Sequence, residues 1–447
     1  MSNQTQRKSK NYMLPIAIMF ALFFMIAFVT GYQNPLGDVI KKMSGNSVIA
    51  SQLGTFANFI AYACMGYPAG KILQNRGYRV TALWAVSVGF AGVLVTYLSG
   101  FVSDNATAVV IYLLGAFIAG FSMCMLNTVV NPMLNSLGKN QKQGNQLVQF
   151  GGSCNSLGGT LAPVIVGGLI GGSASTISSA NPVFYMAMII FALAFVVLFC
   201  TKLPEAPDFG KATDSIPASG AFKYSNFVWG VVAIFGYVGV EVGIANFTMQ
   251  YLSGLGERIA MEGMTAAAIA GTVTGLYWFF MLIGRLVGGT IGGVVSSRAM
   301  LLVTSGVAMV LLLLGIYLPE RMVPFFGFDS AQLTFMSVQI PMNAIFLILC
   351  GLCTSVMWGA IFNLSVEGLG KYTQVASGIF MVMVCGGGII PLIMGALANG
   401  VGILDSFWLL IAVCLYLFLY AAVLSRPSRT QPLADETLYE DGEPVKA

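Results

Sequence analysis

Residues Tyr12–Tyr32 read YMLPIAIMFALFFMIAFVTGY, without one charged side chain. As a helix this stretch rises about 30 Å, the thickness of a bilayer's hydrocarbon core. It is too long for a signal-peptide core and no small-residue cleavage site follows it, so it reads as a retained membrane helix. Eleven similar runs follow, at 48–70, 79–99, 107–134, 146–170, 182–201, 226–252, 267–293, 298–318, 338–364, 374–398 and 403–424. The expected class is therefore all-α transmembrane with twelve helices. Membrane barrels are excluded, because their strands show weak alternation and not solid apolar runs.

Composition agrees. Apolar residues make up 57% of the chain, charged residues only 9%, and histidine is absent. A soluble domain carries about a quarter charged residues. The basic residues are unevenly distributed between alternate loops: the four on one side are Lys41, Lys42, Arg258 and Arg321, and the other seventeen fall on the side that carries both termini. Positive charge marks the cytoplasmic side, so both termini are expected there, in a multi-pass protein of a bacterial inner membrane. The excess of four positive charges is then a topology signal and implies no nucleic-acid partner.

Between Lys202 and Lys223 the apolar pattern breaks at Pro204, Pro207 and Pro217. This divides the chain into a six-helix bundle over 1–201, a cytoplasmic linker over 202–225, a second bundle over 226–425 and a disordered, solvated tail over 426–447. The halves echo each other. Gly159-x-x-x-Pro163-x-x-x-Gly167-x-Leu169 in helix 5 matches Gly387-x-x-x-Pro391-x-x-x-Gly395-x-Leu397 in helix 11. Leu137-Gly138-Lys139 matches Leu369-Gly370-Lys371, and Gly70 precedes Arg79 by the same nine residues that separate Gly289 from Arg298. Three coincidences in one order indicate a duplicated six-helix unit. Gly70, Arg76 and Arg79, with Gly289 and Arg298, are the expected conformational latches at the matching cytoplasmic helix ends.

The segment Gly70-Lys71-Ile72-Leu73-Gln74-Asn75-Arg76-Gly77-Tyr78-Arg79 resembles the loop 2–3 signature of the major facilitator superfamily. Asn127-Thr128-Val129-Val130-Asn131-Pro132, Asn155-Ser156-Leu157-Gly158, Tyr237-Val238-Gly239-Val240-Glu241-Val242, Gly368-Leu369-Gly370-Lys371 and Gly386-Gly387-Gly388-Ile389-Ile390-Pro391 are similar to its fucose–galactose–glucose:proton symporters. The resemblance implies two pseudo-symmetric six-helix bundles working by alternating access, and uptake of a hexose or related pyranoside. It also implies acidic residues in helices 1 and 4 and a glutamine in helix 5. This chain is read there as Asn34-Pro35, Asn127 and Gly152.

Among seventeen carboxylates, Glu241 is the one read as lying deep in an apolar run. A charge at mid-bilayer costs about 2.5–3.5 kcal/mol on insertion scales and persists where it faces a cavity or a partner. With Arg285 placed near the end of helix 8, no basic partner is expected. Glu241 is therefore the expected coupling residue for H+ or Na+, on a helix 7 stripe with Tyr237 and Thr248. Asn127, Asn131, Asn155 and Asn246 offer amides that donate to and accept from sugar hydroxyls. Trp278 and Trp358 offer rings for apolar sugar faces.

The eight cysteines lie in apolar helices with no histidine to complete a metal site, and no phosphate-binding loop is present. The expected protein is not an enzyme and has no cofactor or metal. It is a monomer whose partners are a small-molecule sugar and the lipid bilayer. An uncoupled sugar facilitator, or a carrier of another small polar solute, is the alternative.

Overall fold

A computed structural model describes residues 12–138, 141–170, 176–204, 218–261, 264–291, 294–329, 334–369, 373–426, 439–440 and 443–444. Most of the linker 202–225 and of the tail 426–447 lies outside the described residues. So do Arg7, Lys8, Lys10, Lys139, Lys211, Lys371, Arg429 and Lys446, which entered the count of basic residues.

Twelve described segments are long and apolar enough to cross a bilayer: α1 Met13–Met43, α2 Val48–Leu73, α3 Asn75–Ser99, α4 Asn105–Leu134, α5 Gln146–Ile170, α6 Ile177–Cys200, α7 Ser225–Gly254, α8 Ala266–Ile291, α9 Ser297–Tyr317, α10 Met342–Val366, α11 Gly378–Val401 and α12 Asp405–Leu424. Their ends follow local chemistry. Asp104 caps α4 by accepting from the Thr107 amide at 2.8 Å, and Ser296 caps α9 by accepting from Ala299 at 3.3 Å. Gly77, at φ 78°, breaks the helical path near the start of α3, in a conformation that a side chain would strain.

Two helices are broken within the layer. α1 runs as Met13–Gly31 and then Gln33–Met43, with Pro35 in the first turn of the second piece, where its missing N–H costs nothing. The expected end at 32 is therefore too early, and Asp38 joins Glu241 as a carboxylate inside a spanning segment. α11 breaks between pieces ending at Met383 and starting at Gly386.

Each half packs mainly within itself, α1 on α5 and α3 on α6 in the first, α7, α8 and α9 on α10 in the second. The halves meet along two crossings, α5 on α8 and α2 on α11. A Cβ added at Gly271 would stand 2.4 Å from the Pro163 carbonyl oxygen, and one at Gly395 would stand 2.8 Å from Ile49 Cα. Backbones touch there, which in lipid favours association because no hydrophobic force drives it. The repeated Gly-Pro-Gly motifs of α5 and α11 lie at these matching crossings.

Among the described residues, two pairs of strands depart from the all-helical expectation, the smaller joining Tyr439–Glu440 to Glu443–Pro444 in the tail. Met322–Asp329 and Thr334–Pro341 form an antiparallel hairpin between α9 and α10, pairing Phe328 with Phe335. The Thr272 hydroxyl donates to the Phe328 carbonyl at 3.4 Å, docking the hairpin on α8. Met322–Phe328 carries no polar side chain, but this run is far shorter than the about 20 residues a span needs.

Candidate functional site

A cavity of about 970 Å³ lies between the halves, lined by residues of α1, α2, α4 and α5 on one side and of α7, α8, α9, α10 and α11 on the other. It reaches Gln149, Thr290, Ser297 and Asn363, on the face shared by the two ends of the helical array. Its far end is formed by Gln33, Asn34, Thr55, Asn58 and Asn246. Beyond that end the halves are sealed by polar contacts. Gln250 Nε2 donates to Asp38 Oδ1 at 2.6 Å, Asn246 Nδ2 to Gln52 Oε1 at 2.9 Å, and the Val48 amide to Asn399 Oδ1 at 2.8 Å.

Seven of the eight expected substrate residues line this cavity: Asn127, Asn131, Asn155, Glu241, Asn246, Trp278 and Trp358. Asn127 Nδ2 donates to Tyr62 Oη at 3.0 Å, and Asn131 Nδ2 to the Asn127 carbonyl one turn back, also at 3.0 Å. Asn155 Nδ2 donates to the Phe23 carbonyl at 3.1 Å, tying α5 to α1. Tyr237 is placed differently. It is fully buried, donates to the Thr354 carbonyl at 3.0 Å and meets the Trp358 ring edge-on, so it backs the indole and does not line the cavity. Thr248 is likewise buried in the helix contacts, so of the expected stripe on α7 Glu241 alone lines the cavity, and Asn246 lines it from another position on the helix.

Glu241 has the partner that sequence reading denied it. Arg285 Nη2 stands 3.4 Å from Glu241 Oε1, while Nη1 donates to the Gly152 carbonyl at 2.6 Å and to Ser156 Oγ at 2.9 Å. Arg285 lies six residues before the end of α8, about 9 Å along the axis. Its Cα–Cβ bond points back toward the helix start, so the long side chain reaches further into the layer. Arg285 thus leaves the set of cytoplasmic charges counted above and bridges the halves. A Cβ added at Gly152 would lie 3.6 Å from Nη1, so the guanidinium runs alongside the place of the side chain that glycine lacks. Helical position together with side-chain direction was the available signal.

The expected latch residues sit at the same face as the cavity mouth. Arg79 donates to the carbonyls of Leu198 and Phe199, joining α3 to the end of α6 within one half. Arg298 is half-buried, and its Nε has no hydrogen-bond partner among the described residues. Gly289 lines the cavity, while Gly70 and the exposed Arg76 do not.

Residues 16–390 match the profile described as Major Facilitator Superfamily. A glucose/galactose transporter of Brucella abortus biovar 1 (strain 9-941) is 29% identical over 431 residues, covering 93% of this chain and 95% of its own. An L-fucose-proton symporter of Escherichia coli (strain K12) is 24% identical, covering 94% and 95%. Among solved structures, a D-xylose-proton symporter superposes with a TM-score of 0.67 at 16% identity, over 92% of this chain and 97% of that one.

Proposed function

Because the chain belongs to the Major Facilitator Superfamily, we propose that it imports a hexose or related pyranoside by alternating access, coupled to H+ or Na+. It is a transporter and not an enzyme. The glucose/galactose and fucose relatives, similar over nearly the whole chain, point to a monosaccharide. The bias of Lys and Arg puts both termini in the cytoplasm. With that orientation the cavity opens inward, and the sealed end faces outside.

One observation carries the reading: Glu241, the four expected amides and both expected indoles share the wall of a cavity formed by both halves. Amides match hydroxyls in both donor and acceptor capacity, and indoles pack on apolar sugar faces. Glu241 is assigned the coupling role. A cation bound at the carboxylate would compete with Arg285, so loaded and empty states differ in how that charge is compensated. Asp38 is the second carboxylate available for this role, hydrogen-bonded across the halves through Gln250.

The test is uptake into proteoliposomes of D-glucose, D-galactose and L-fucose, with pH and Na+ gradients imposed separately. Glu241→Gln is expected to abolish gradient-driven accumulation yet keep exchange between equilibrated compartments, because exchange never requires the empty carrier to reorient. If Glu241→Gln still concentrates sugar and Asp38→Asn does not, the coupling role passes to Asp38. The 3.4 Å contact with Arg285 supports a second reading, an uncoupled facilitator in which the pair is static. Wild-type protein that equilibrates sugar without ever concentrating it would establish that alternative.

A further inference from the structure

The far end of the cavity holds an unusual concentration of unused hydrogen-bonding capacity. Gln33 is 2% exposed, Asn58 1% and Asn246 4%, and all three line the cavity. Each spends one end of its amide on the protein. Gln33 Oε1 accepts from Tyr112 Oη at 2.5 Å, Asn58 Nδ2 donates to the Ala116 carbonyl at 3.2 Å, and Asn246 Nδ2 donates to Gln52 Oε1 and Thr55 Oγ1. The other ends, Gln33 Nε2, Asn58 Oδ1 and Asn246 Oδ1, are buried and have no hydrogen-bond partner among the described residues. For Asn58 the orientation is fixed, since only its NH2 can face a carbonyl. Buried polar groups are nearly always paired, and three idle ends at one cavity terminus call for a ligand.

We propose that Gln33, Asn58 and Asn246 form a distinct subsite for two neighbouring hydroxyl groups, at the outer end of the substrate and separate from the central carboxylate–arginine pair. One donor and two acceptors complement a diol, in which each hydroxyl donates once and accepts once. An ammonium group would meet the idle donor of Gln33, and a carboxylate would meet two acceptors, so neither fits the set. The subsite rests on the sugar reading and narrows it to substrates whose hydroxyls extend beyond the ring atoms held near Glu241. It also joins recognition to sealing. Gln33 and Asn58 belong to the first half and Asn246 to the second, and Asn246 spends its donors on the contacts with Gln52 and Thr55 that close the outer end. A diol spanning these residues favours the closed outer end, so the subsite selects cargo at the step that commits it inward.

The experiment measures binding to the full-length protein in detergent by calorimetry, with D-glucose, D-galactose, L-fucose and single-deoxy analogues of whichever binds wild type best. Gln33→Leu and Asn58→Leu are expected to weaken that sugar at least tenfold. At least one deoxy analogue, already weak on wild type, should lose nothing further in the variants. Asn58→Ser, which keeps an acceptor and a smaller perturbation, should fall between; it stands in for Asn58→Leu if that variant does not fold. Equal losses for the parent sugar and every analogue would mean that these residues act only on the fold, and the subsite is overturned. Unchanged affinity in the variants overturns the subsite while leaving the sugar reading intact. Binding of none of these sugars to folded wild-type protein overturns both.

Discussion

The two ends of the interface between the halves are built from different chemistry. At the outer end the contacts are short and neutral or singly charged: Asn399 to Val48, Asn246 to Gln52, Gln250 to Asp38, above helices in backbone contact at Gly388 and Gly395. Toward the mouth the halves part around the cavity, and the guanidinium of Arg285 crosses from α8 to α5. A set of several small contacts can be made and broken piecemeal. A largely buried ion pair resists separation, because each charge then needs another partner. The outer end is accordingly the part of the interface suited to opening, and the central bridge the part suited to sensing what the cavity holds.

The comparison breaks most severely at the bridge. Arg285→Ala leaves Glu241 with its side chain only 13% exposed and no counter-charge. Removing one partner of such a pair costs about 3–5 kcal/mol, far beyond a surface ion pair. Thermal unfolding in detergent should show a large loss, and the double variant Glu241→Gln/Arg285→Gln should recover much of it. Equal melting of single and double variants would mean that the pair contributes no coupling.

An intermediate effect is expected at the sealed end. Gln250→Ala and Asn399→Ala each remove cross-half hydrogen bonds worth about 0.5–1.5 kcal/mol apiece. Together they should shift the balance toward the outward-open form by about tenfold or more. Distances between spin labels on the two halves would report it, and unchanged distributions would show that these contacts are incidental.

The smallest effect belongs to the side amides of the central wall. Asn127→Ala and Asn155→Ala should weaken sugar binding by about 0.5–1.5 kcal/mol each with folding retained. Calorimetry that finds neither change would remove them from the site.

Much of this arrangement was legible in the chain. Apolar length alone located the twelve spans, and the Gly-Pro-Gly repeat marked the duplicated unit, though not that its copies lie where the halves meet. Four things were not legible, each for a physical reason. α1 was cut short at 32 because Gln33, Asn34, Pro35 and Asp38 end the apolar run, although the helix continues to Met43 with Gln33 paired to Tyr112 and Asp38 to Gln250. Arg285 was assigned to the helix end, although it lies six residues inside α8 and its side chain reaches further in. Tyr237 and Glu241 share a face of α7 by spacing, but α10 covers the tyrosine with Trp358, and only tertiary packing could reveal that. The hairpin over 322–341 escaped because its apolar stretch at 322–328 is short and broken by Pro324 and Gly327, which read as turn signals.

The bridge has one more consequence, in electrical terms. Glu241 and Arg285 together carry no net charge, so when they shift as a unit across the layer the membrane voltage does no work on them. Moving one elementary charge through the full field is worth about 2.3 kcal/mol per 100 mV. Through this pair, the voltage can act only when something else adds charge to the cavity. A cation travelling with the substrate would then feel a pull that the empty carrier does not, and the return stroke would be electrically silent.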